Sequence, residues 1–437
     1  MTSSLRRHGQ TATGLLLLIQ LSTATAVASE QAPATPTNHT EQPQMDRLLV
    51  TELTEPVLAP NLDLKEVAPL PQPVPVAEPT TDTDDPAFSE EPPETDTAAD
   101  EPADEEKLIL LGSEVAPGTA TRLAWKTAGT ISGLATPTPV MVIKGKTPGE
   151  TLCLTAAVHG DELNGIEIVR RVMYDIDPEK LSGSIIGIPI VNLQGFQRGS
   201  RYLPDRRDLN RFFPGEINGS LASRIAWSLF DEVIAHCDFL VDLHTGSLRR
   251  TNMPQIRADI RDENVAELTQ GFGKIAVIHS TGNAGMLRFA AVEHGIPAIT
   301  LEVGESLRIQ EDQIEIGVSS INHLLEHQGM YSRLFTWGEP DPIYYKSSWI
   351  RADRGGILFS KKKQGDMVKV DEILGTITDP ITNETSDILS TVNGRIIGMA
   401  VDQFVMPGYG SYHIGIEASE DVLAEEGSTE SNEIDIE

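Results

Sequence analysis

Ala156-Ala157-Val158-His159-Gly160-Asp161-Glu162 closes an apolar run that starts at Leu152 and delivers a His and, three residues on, a Glu. A second run, Phe239-Leu240-Val241-Asp242-Leu243, delivers His244-Thr245-Gly246. A third, Ala298-Ile299-Thr300-Leu301, delivers Glu302-Val303-Gly304. Short apolar runs bounded by turn residues read as buried strands. Three of them, each ending in a metal-competent or acid/base side chain, put an active site at the C-terminal edge of a sheet. His159, Glu162 and His244 make a catalytic zinc set with the fourth position left for water. A further carboxylate that is not a ligand is what such a site needs as general base. A lone H-x-x-E is weak evidence; its conjunction with a strand-terminal His244 and a strand-terminal Glu302 is much stronger.

Around these runs strand and helix patterns alternate. Strands are expected at 140–144, 152–158, 185–191, 239–243, 275–279 and 298–303, and helices at 164–173, 220–236, 262–272, 286–294 and 310–328. This spacing implies an α/β fold with a mostly parallel or mixed sheet covered by helices on both faces. The catalytic domain is expected over 107–342. From 343 to 417 helical periodicity vanishes, and short β-type runs are punctuated by Gly355-Gly356, Gly365-Asp366, Asn393-Gly394 and Pro407-Gly408. This reads as a small all-β domain resembling a biotinyl/lipoyl-like barrel-sandwich. Thr378-Asp379-Pro380-Ile381-Thr382 stands where a carrier lysine would be, so the shape is expected without the carrier function.

The net charge of −31 sits mostly in tails. Residues 30–106 hold 20 acidic against 2 basic side chains, and 417–437 hold 9 acidic and none basic. Residues 29–106 are Pro-rich and too poor in apolar groups to offset their ordering entropy, so they read as a solvated linker, with 418–437 as a disordered tail. No basic cluster could neutralise phosphates, which argues against nucleic acid as partner. Residues 1–28 read as a signal peptide: Arg6-Arg7-His8, an apolar stretch centred on 15–19, and Ala26-Val27-Ala28 at the cleavage site. A periplasmic or secreted enzyme follows, with no membrane span in the mature chain. Cys153 and Cys237 are the only cysteines. They are either two small buried hydrophobes or a disulfide between neighbouring strands, permitted in an oxidising compartment.

The sequence resembles the succinylglutamate desuccinylase/aspartoacylase family, relatives of the zinc carboxypeptidases. The resemblance is carried by His159-Gly160-Asp161-Glu162, Asp208-Leu209-Asn210-Arg211-Phe212-Phe213-Pro214-Gly215, Asp242-Leu243-His244-Thr245-Gly246 and Leu301-Glu302-Val303-Gly304. It implies one zinc per chain on His159, Glu162 and His244, with Glu302 as the base. It implies that Asn210 and Arg211 hold a substrate carboxylate and that Arg201 polarises the scissile carbonyl, with Arg198, Arg206 and Arg207 as competitors for that role. By strand alternation Asp242 lies on the same face as His244, as a supporting partner or a strand-end polar residue. Arg288, Tyr409 and Tyr412 are outer candidates for the pocket. The expected function is a zinc amidohydrolase that deacylates an N-acyl amino acid or related amide. The alternatives are a metallocarboxypeptidase acting on short, possibly cell-wall, peptides and a non-catalytic binding protein on the same scaffold.

Overall fold

The computed structural model describes residues 107–127, 136–247, 249–332, 342–401 and 403–417. The expected export signal, acidic linker and acidic tail lie outside the described residues. All the described residues fall within one compact unit, 96–437.

Four parallel strands form the centre of the fold, in the order Ser182–Ile188, Thr147–Ala156, Phe239–Gly246 and Ala298–Glu305. Antiparallel strands extend it on both sides. Thr138–Lys144 and Thr119–Trp125 add to one side. Arg250–Ala258 pairs with the Glu302 strand on the other. The sheet is therefore mixed, as the alternating pattern implied. Near-continuous apolar runs follow from burial on both faces. Leu152 and Leu154 point into one core with helices Asn164–Asp175, Glu263–Gln270 and Glu311–His327; Cys153 and Leu240 point into the other with Leu221–Glu232 and Leu287–Glu293.

Helix limits follow local chemistry. Ser220 caps Leu221–Glu232 by accepting from the Ser223 amide, and Asp262 caps Glu263–Gln270 by accepting from the Asn264 and Val265 amides. The pattern expected as one helix at 220–236 ends at Glu232 and continues as a 3₁₀ turn, Ile234–His236.

The C-terminal β region is not a detached body. Gly394–Ala400 pairs antiparallel with Arg250–Ala258, and Gly410–Ile416 and Lys346–Arg351 follow outward. One sheet thus runs from the catalytic core into this region, beside a separate four-stranded sheet that includes Gly356–Ser360 and Ile373–Thr378. A separate domain was expected because the loss of helical periodicity marks a change of texture, whereas edge pairing leaves no mark in sequence. Cys153 and Cys237 form a disulfide with Cα atoms 5.7 Å apart, the second of the two alternatives. It ties the His159 strand to the start of the His244 strand.

Two helices on one face are joined by a charge network. Arg171 bonds Glu311 at 2.6 and 2.7 Å and Glu167 at 2.9 Å, and Arg170 also bonds Glu167. The Arg170 hydrogen bond, opposed by burial and joined by Arg171, holds the Glu167 carboxyl down at about 2. A depressed carboxylate stabilises the fold above its unfolded value and loses that effect as pH falls through the folded value. Glu167→Gln should cost about 0.5–1 kcal/mol at pH 7. The gap in urea midpoint between variant and wild type should close between pH 4.5 and about 2. A gap that persists at pH 2 would place the effect elsewhere.

Candidate metal centre and active site

The strand Thr147–Ala156 ends in Ala157, whose φ of +49° is left-handed although it carries a Cβ. This turn swings His159 over the end of the sheet, and such strain persists only where surrounding structure holds it. Gly160 then passes so close to the 192–196 turn that a Cβ would lie 2.1 Å from the Phe196 amide nitrogen. Together they deliver His159 and Glu162 from one turn, both 2% exposed.

Both imidazoles are held at both nitrogens. His159 Nδ1 lies 2.9 Å from Glu162 Oε1, and His244 Nδ1 lies 2.9 Å from Glu162 Oε2. Their Nε2 atoms face two aspartates, Asp208 at 3.0 Å and Asp242 at 2.8 Å. A carboxylate only accepts, so without an ion both nitrogens of each ring would have to donate; an ion between Nδ1 and Glu162 would replace the inner protons and leave each Nε2 proton on its aspartate. The aspartates are themselves anchored. Thr155 donates to Asp242 from the adjacent strand at 2.6 Å, and Arg201 donates to Asp208 Oδ2 at 2.9 and 3.2 Å. The Thr245 amide donates to Glu162 Oε2.

The electrostatics call for a cation. Glu162, Asp208 and Asp242 bring three carboxylates against the two imidazoles, with Arg201 bonded to two of them and Arg211 also favouring ionised Asp208. Burial opposes charge on His244, but Asp242 and Glu162 outweigh it and raise its pKa well above that of free imidazole. Burial likewise works against ionised Glu162, yet His159 and His244 hold it well below the usual carboxylate range. Asp208 is held down against burial by His159 and Arg201. Protons on the rings or a divalent ion would offset the converging carboxylates. Ligand atoms of His159, Glu162 and His244 lie within 4.8 Å of one another, so this set could hold such an ion. Two imidazoles and a carboxylate, each ring steadied by an outer carboxylate, fit zinc.

These residues line a cavity together with Arg201, Thr245, Gly246, Ser247, Arg250, Asn252, Arg257, Glu302 and Trp349. Glu302 stands in register with His244 on the adjacent strand and accepts from Asn252 Nδ2 at 2.9 Å. Arg257 Nε is 3.8 Å from its other oxygen. Arg201 places Nη1 3.3 Å from Glu162 Oε1. Its competitors are engaged elsewhere: Arg198 with the Gln194 and Tyr202 carbonyls, Arg207 with Asp205, and Arg206 is exposed.

The structure gives the other expected residues these partners. Asn210 Oδ1 accepts from the Leu287 amide at 2.8 Å and so caps the helix Leu287–Glu293. Arg211 Nη1 donates to the Asn210 carbonyl. Neither is among the residues lining the cavity. The reason is local: the 3₁₀ turn Leu209–Arg211, capped by Asp208, commits Asn210 to the neighbouring helix. Arg288 bonds Ser280 and Thr300, and Tyr412 bonds Ser360 and the Leu374 carbonyl inside the β region. Asp208, Arg250, Asn252 and Arg257 are the residues that sequence reasoning missed. Asp208 stood within the quoted D-L-N-R stretch, but its bond to His159 spans 49 residues. The other three lie on Arg250–Ala258, a strand without apolar alternation.

Comparison with known proteins agrees with this architecture. The family model described as succinylglutamate desuccinylase/aspartoacylase catalytic domain matches residues 148–328. Over 253 residues the chain is 26% identical to an N-alpha-acetyl-L-2,4-diaminobutyric acid deacetylase of Halomonas elongata, covering 55% of this chain and 74% of that protein. It is 27% identical to a succinylglutamate desuccinylase of Pseudomonas aeruginosa over 47% of this chain and 64% of the relative. Solved structures share the fold. A succinylglutamate desuccinylase/aspartoacylase from Rhodobacter sphaeroides superposes with a TM-score of 0.63 at 20% identity, over 72% of this chain and all of that one. The product-bound ectoine utilization protein EutE (DoeB) from Ruegeria pomeroyi gives 0.61 at 21% identity, over 68% and 94%. The segment 148–328 is thus similar in sequence to the catalytic domain of the succinylglutamate desuccinylase/aspartoacylase family, and the solved structures share its fold.

The two aspartates give a test of the metal set. Removing a carboxylate that orients a ligating imidazole typically weakens metal binding by about 10–100-fold. Asp208→Asn and Asp242→Asn should each do so in zinc competition titrations, with circular dichroism unchanged. Undiminished affinity in both variants would show that the rings are not held as ligands.

Proposed function

We propose that the protein is an exported zinc-dependent amidohydrolase that removes the acyl group from an N-acyl amino acid or a related amide. One observation carries the reading: two aspartate-held imidazoles turn Nδ1 to one buried glutamate, in a cavity that also holds Glu302 and Arg201.

A zinc ion held by His159, Glu162 and His244 supplies Lewis acidity toward water and the acyl oxygen. The rest falls to the chain's own residues. Glu302 takes the proton of the attacking water and returns it to the leaving nitrogen. Asn252 fixes the orientation of that carboxylate. The guanidinium of Arg201, locked by Asp208, offsets negative charge developing on the acyl oxygen.

Export rests on the N-terminal pattern and gains support from the Cys153–Cys237 disulfide, a bond of oxidising compartments. Among the described residues no helix is long and apolar enough to cross a membrane. A deacylase is preferred to a carboxypeptidase because the relatives named for an activity are deacylases of small N-acyl amino acids. The Halomonas elongata deacetylase points to the same substrate class.

The deciding experiment assays the zinc-loaded protein against N-acyl amino acids and against peptides with free C-termini. Release of the free amino acid from the first class alone supports a deacylase, and turnover of peptides alone would replace it with a carboxypeptidase. Glu302→Gln should retain stoichiometric zinc and lose about 10²–10⁴-fold in kcat. A loss below about tenfold would remove Glu302 from the reaction and leave a binding protein as the better reading if the wild type is also inert.

A further inference from the structure

Among the described residues, Arg250 is a cavity cation with no carboxylate at ion-pair distance. It is 8% exposed and lines the cavity. Its Nε donates to the Gly410 carbonyl at 3.1 Å. Its guanidinium carbon lies 4.9 Å from the centre of the Trp349 ring and 4.6 Å from that of Tyr409. Among the described residues no carboxylate lies within ion-pair distance of it. The other cavity arginines differ: Arg201 is bonded to Asp208 and Glu162, and Arg257 lies beside Glu302.

A desolvated charge without a partner is costly, and structures normally pair it. Two aromatic faces and one carbonyl recover part of the cost. They grip the π-face and the Nε edge of the guanidinium. That mode of holding suits a group whose remaining N–H donors are to meet a planar anion two at a time. Burial and the nearby Arg351, Arg257 and Arg201 disfavour its charge, with Tyr409 acting the other way. An incoming anion relieves this strain on the cationic wall.

We propose that Arg250 is a specificity-determining residue that seats the free carboxylate of the N-acyl amino acid, its guanidinium held in place by Trp349 and Tyr409 of the C-terminal β region. The proposal rests on the amidohydrolase reading above. It moves the carboxylate seat from Arg211, which does not line the cavity, to the strand that joins the catalytic sheet to the β region. Ala400 pairs with Arg250 itself, so the β region and the seat are built together.

The test uses the full zinc-loaded chain as wild type, Arg250→Gln, Arg250→Lys and Arg211→Ala. The probes are Nα-acetyl-L-2,4-diaminobutyrate, N-acetyl-L-leucine and the α-carboxamide of each. In Arg250→Gln the loss of kcat/KM on the acids should exceed the loss on the amides at least tenfold and fall mainly in KM, with zinc content unchanged. Arg250→Lys should recover part of the acid preference, and Arg211→Ala should leave it in place. A second arm measures binding of the same compounds to metal-stripped protein by calorimetry, where the acids should bind more tightly than the amides only when Arg250 is present. Equal losses on acid and amide, or an acid preference that disappears with Arg211 instead, would overturn the seat. If the wild type turns over none of the four compounds, the amidohydrolase reading fails for them and the calorimetry decides Arg250. Acid-selective binding lost in Arg250→Gln supports the seat; selective binding that is retained, or never present, overturns it.

Discussion

Three buried carboxylates around two imidazoles are the constraint from which the site follows. Glu162, Asp208 and Asp242 converge on His159 and His244, and Arg201 is bonded to Glu162 and Asp208. Such a cluster is unfavourable in a dry interior unless cations complete it. The local structure bends to assemble it. Ala157 accepts a left-handed backbone, Gly160 leaves no room for a Cβ, and Asp208 both caps a 3₁₀ turn and holds an imidazole. Each of these features would be a pure cost in a scaffold that bound nothing.

The four parallel strands determine where the cluster sits. Parallel neighbours end together, so His244 and Glu302 arrive in register at one edge and Thr155 stands beside Asp242 to steady it. The disulfide joins the strand that leads to His159, at Cys153, to the entry of the His244 strand, at Cys237. What the parallel core lacks is a wall on the Glu302 side. The antiparallel strand Arg250–Ala258 provides it, and the same strand carries the sheet into the C-terminal β region. The site and the appended region are therefore two parts of one sheet rather than an enzyme with an ornament.

Much of this was legible in sequence, for identifiable reasons. Strands buried on both faces must be apolar throughout, so the runs before His159, His244 and Glu302 announce both the strand and the polar residue at its end. Parity alone put Asp242 on the face of His244, and the structure finds them bonded. Other features depend on partners distant in the chain. Nothing local distinguishes Asp208 from an ordinary turn aspartate until His159 is folded against it. Asn210 reads as a substrate ligand by resemblance, and its Oδ1 also accepts from a helix 77 residues away, a bond no local pattern announces. Arg250–Ala258 escaped notice because Arg-Thr-Asn-Met-Pro-Gln-Ile-Arg carries a proline and polar groups where a strand pattern needs apolar ones. Those polar groups face the cavity and a buried polar layer, so the feature that hid the strand is the one that makes it part of the site.

The charge in the cavity is divided rather than scattered. Around the imidazoles carboxylates outnumber guanidinium groups, whereas on the Arg250–Ala258 wall Arg250 and Arg257 face the single carboxylate of Glu302. With low-dielectric walls a division of this kind orients a polar ligand before any contact is optimised. An N-acyl amino acid has a polarisable carbonyl at one end of its amide and a fixed negative charge a few bonds away. Only one orientation brings the carbonyl to the cation-demanding end and the carboxylate to the arginine wall. Under the proposed reading the scissile nitrogen would then lie near Glu302, whose carboxylate is held by Asn252. If Glu302 is the base, as proposed, its position and the seat of the carboxylate follow from the same separation of charge, and neither could be moved to the other side of the cavity without undoing the other.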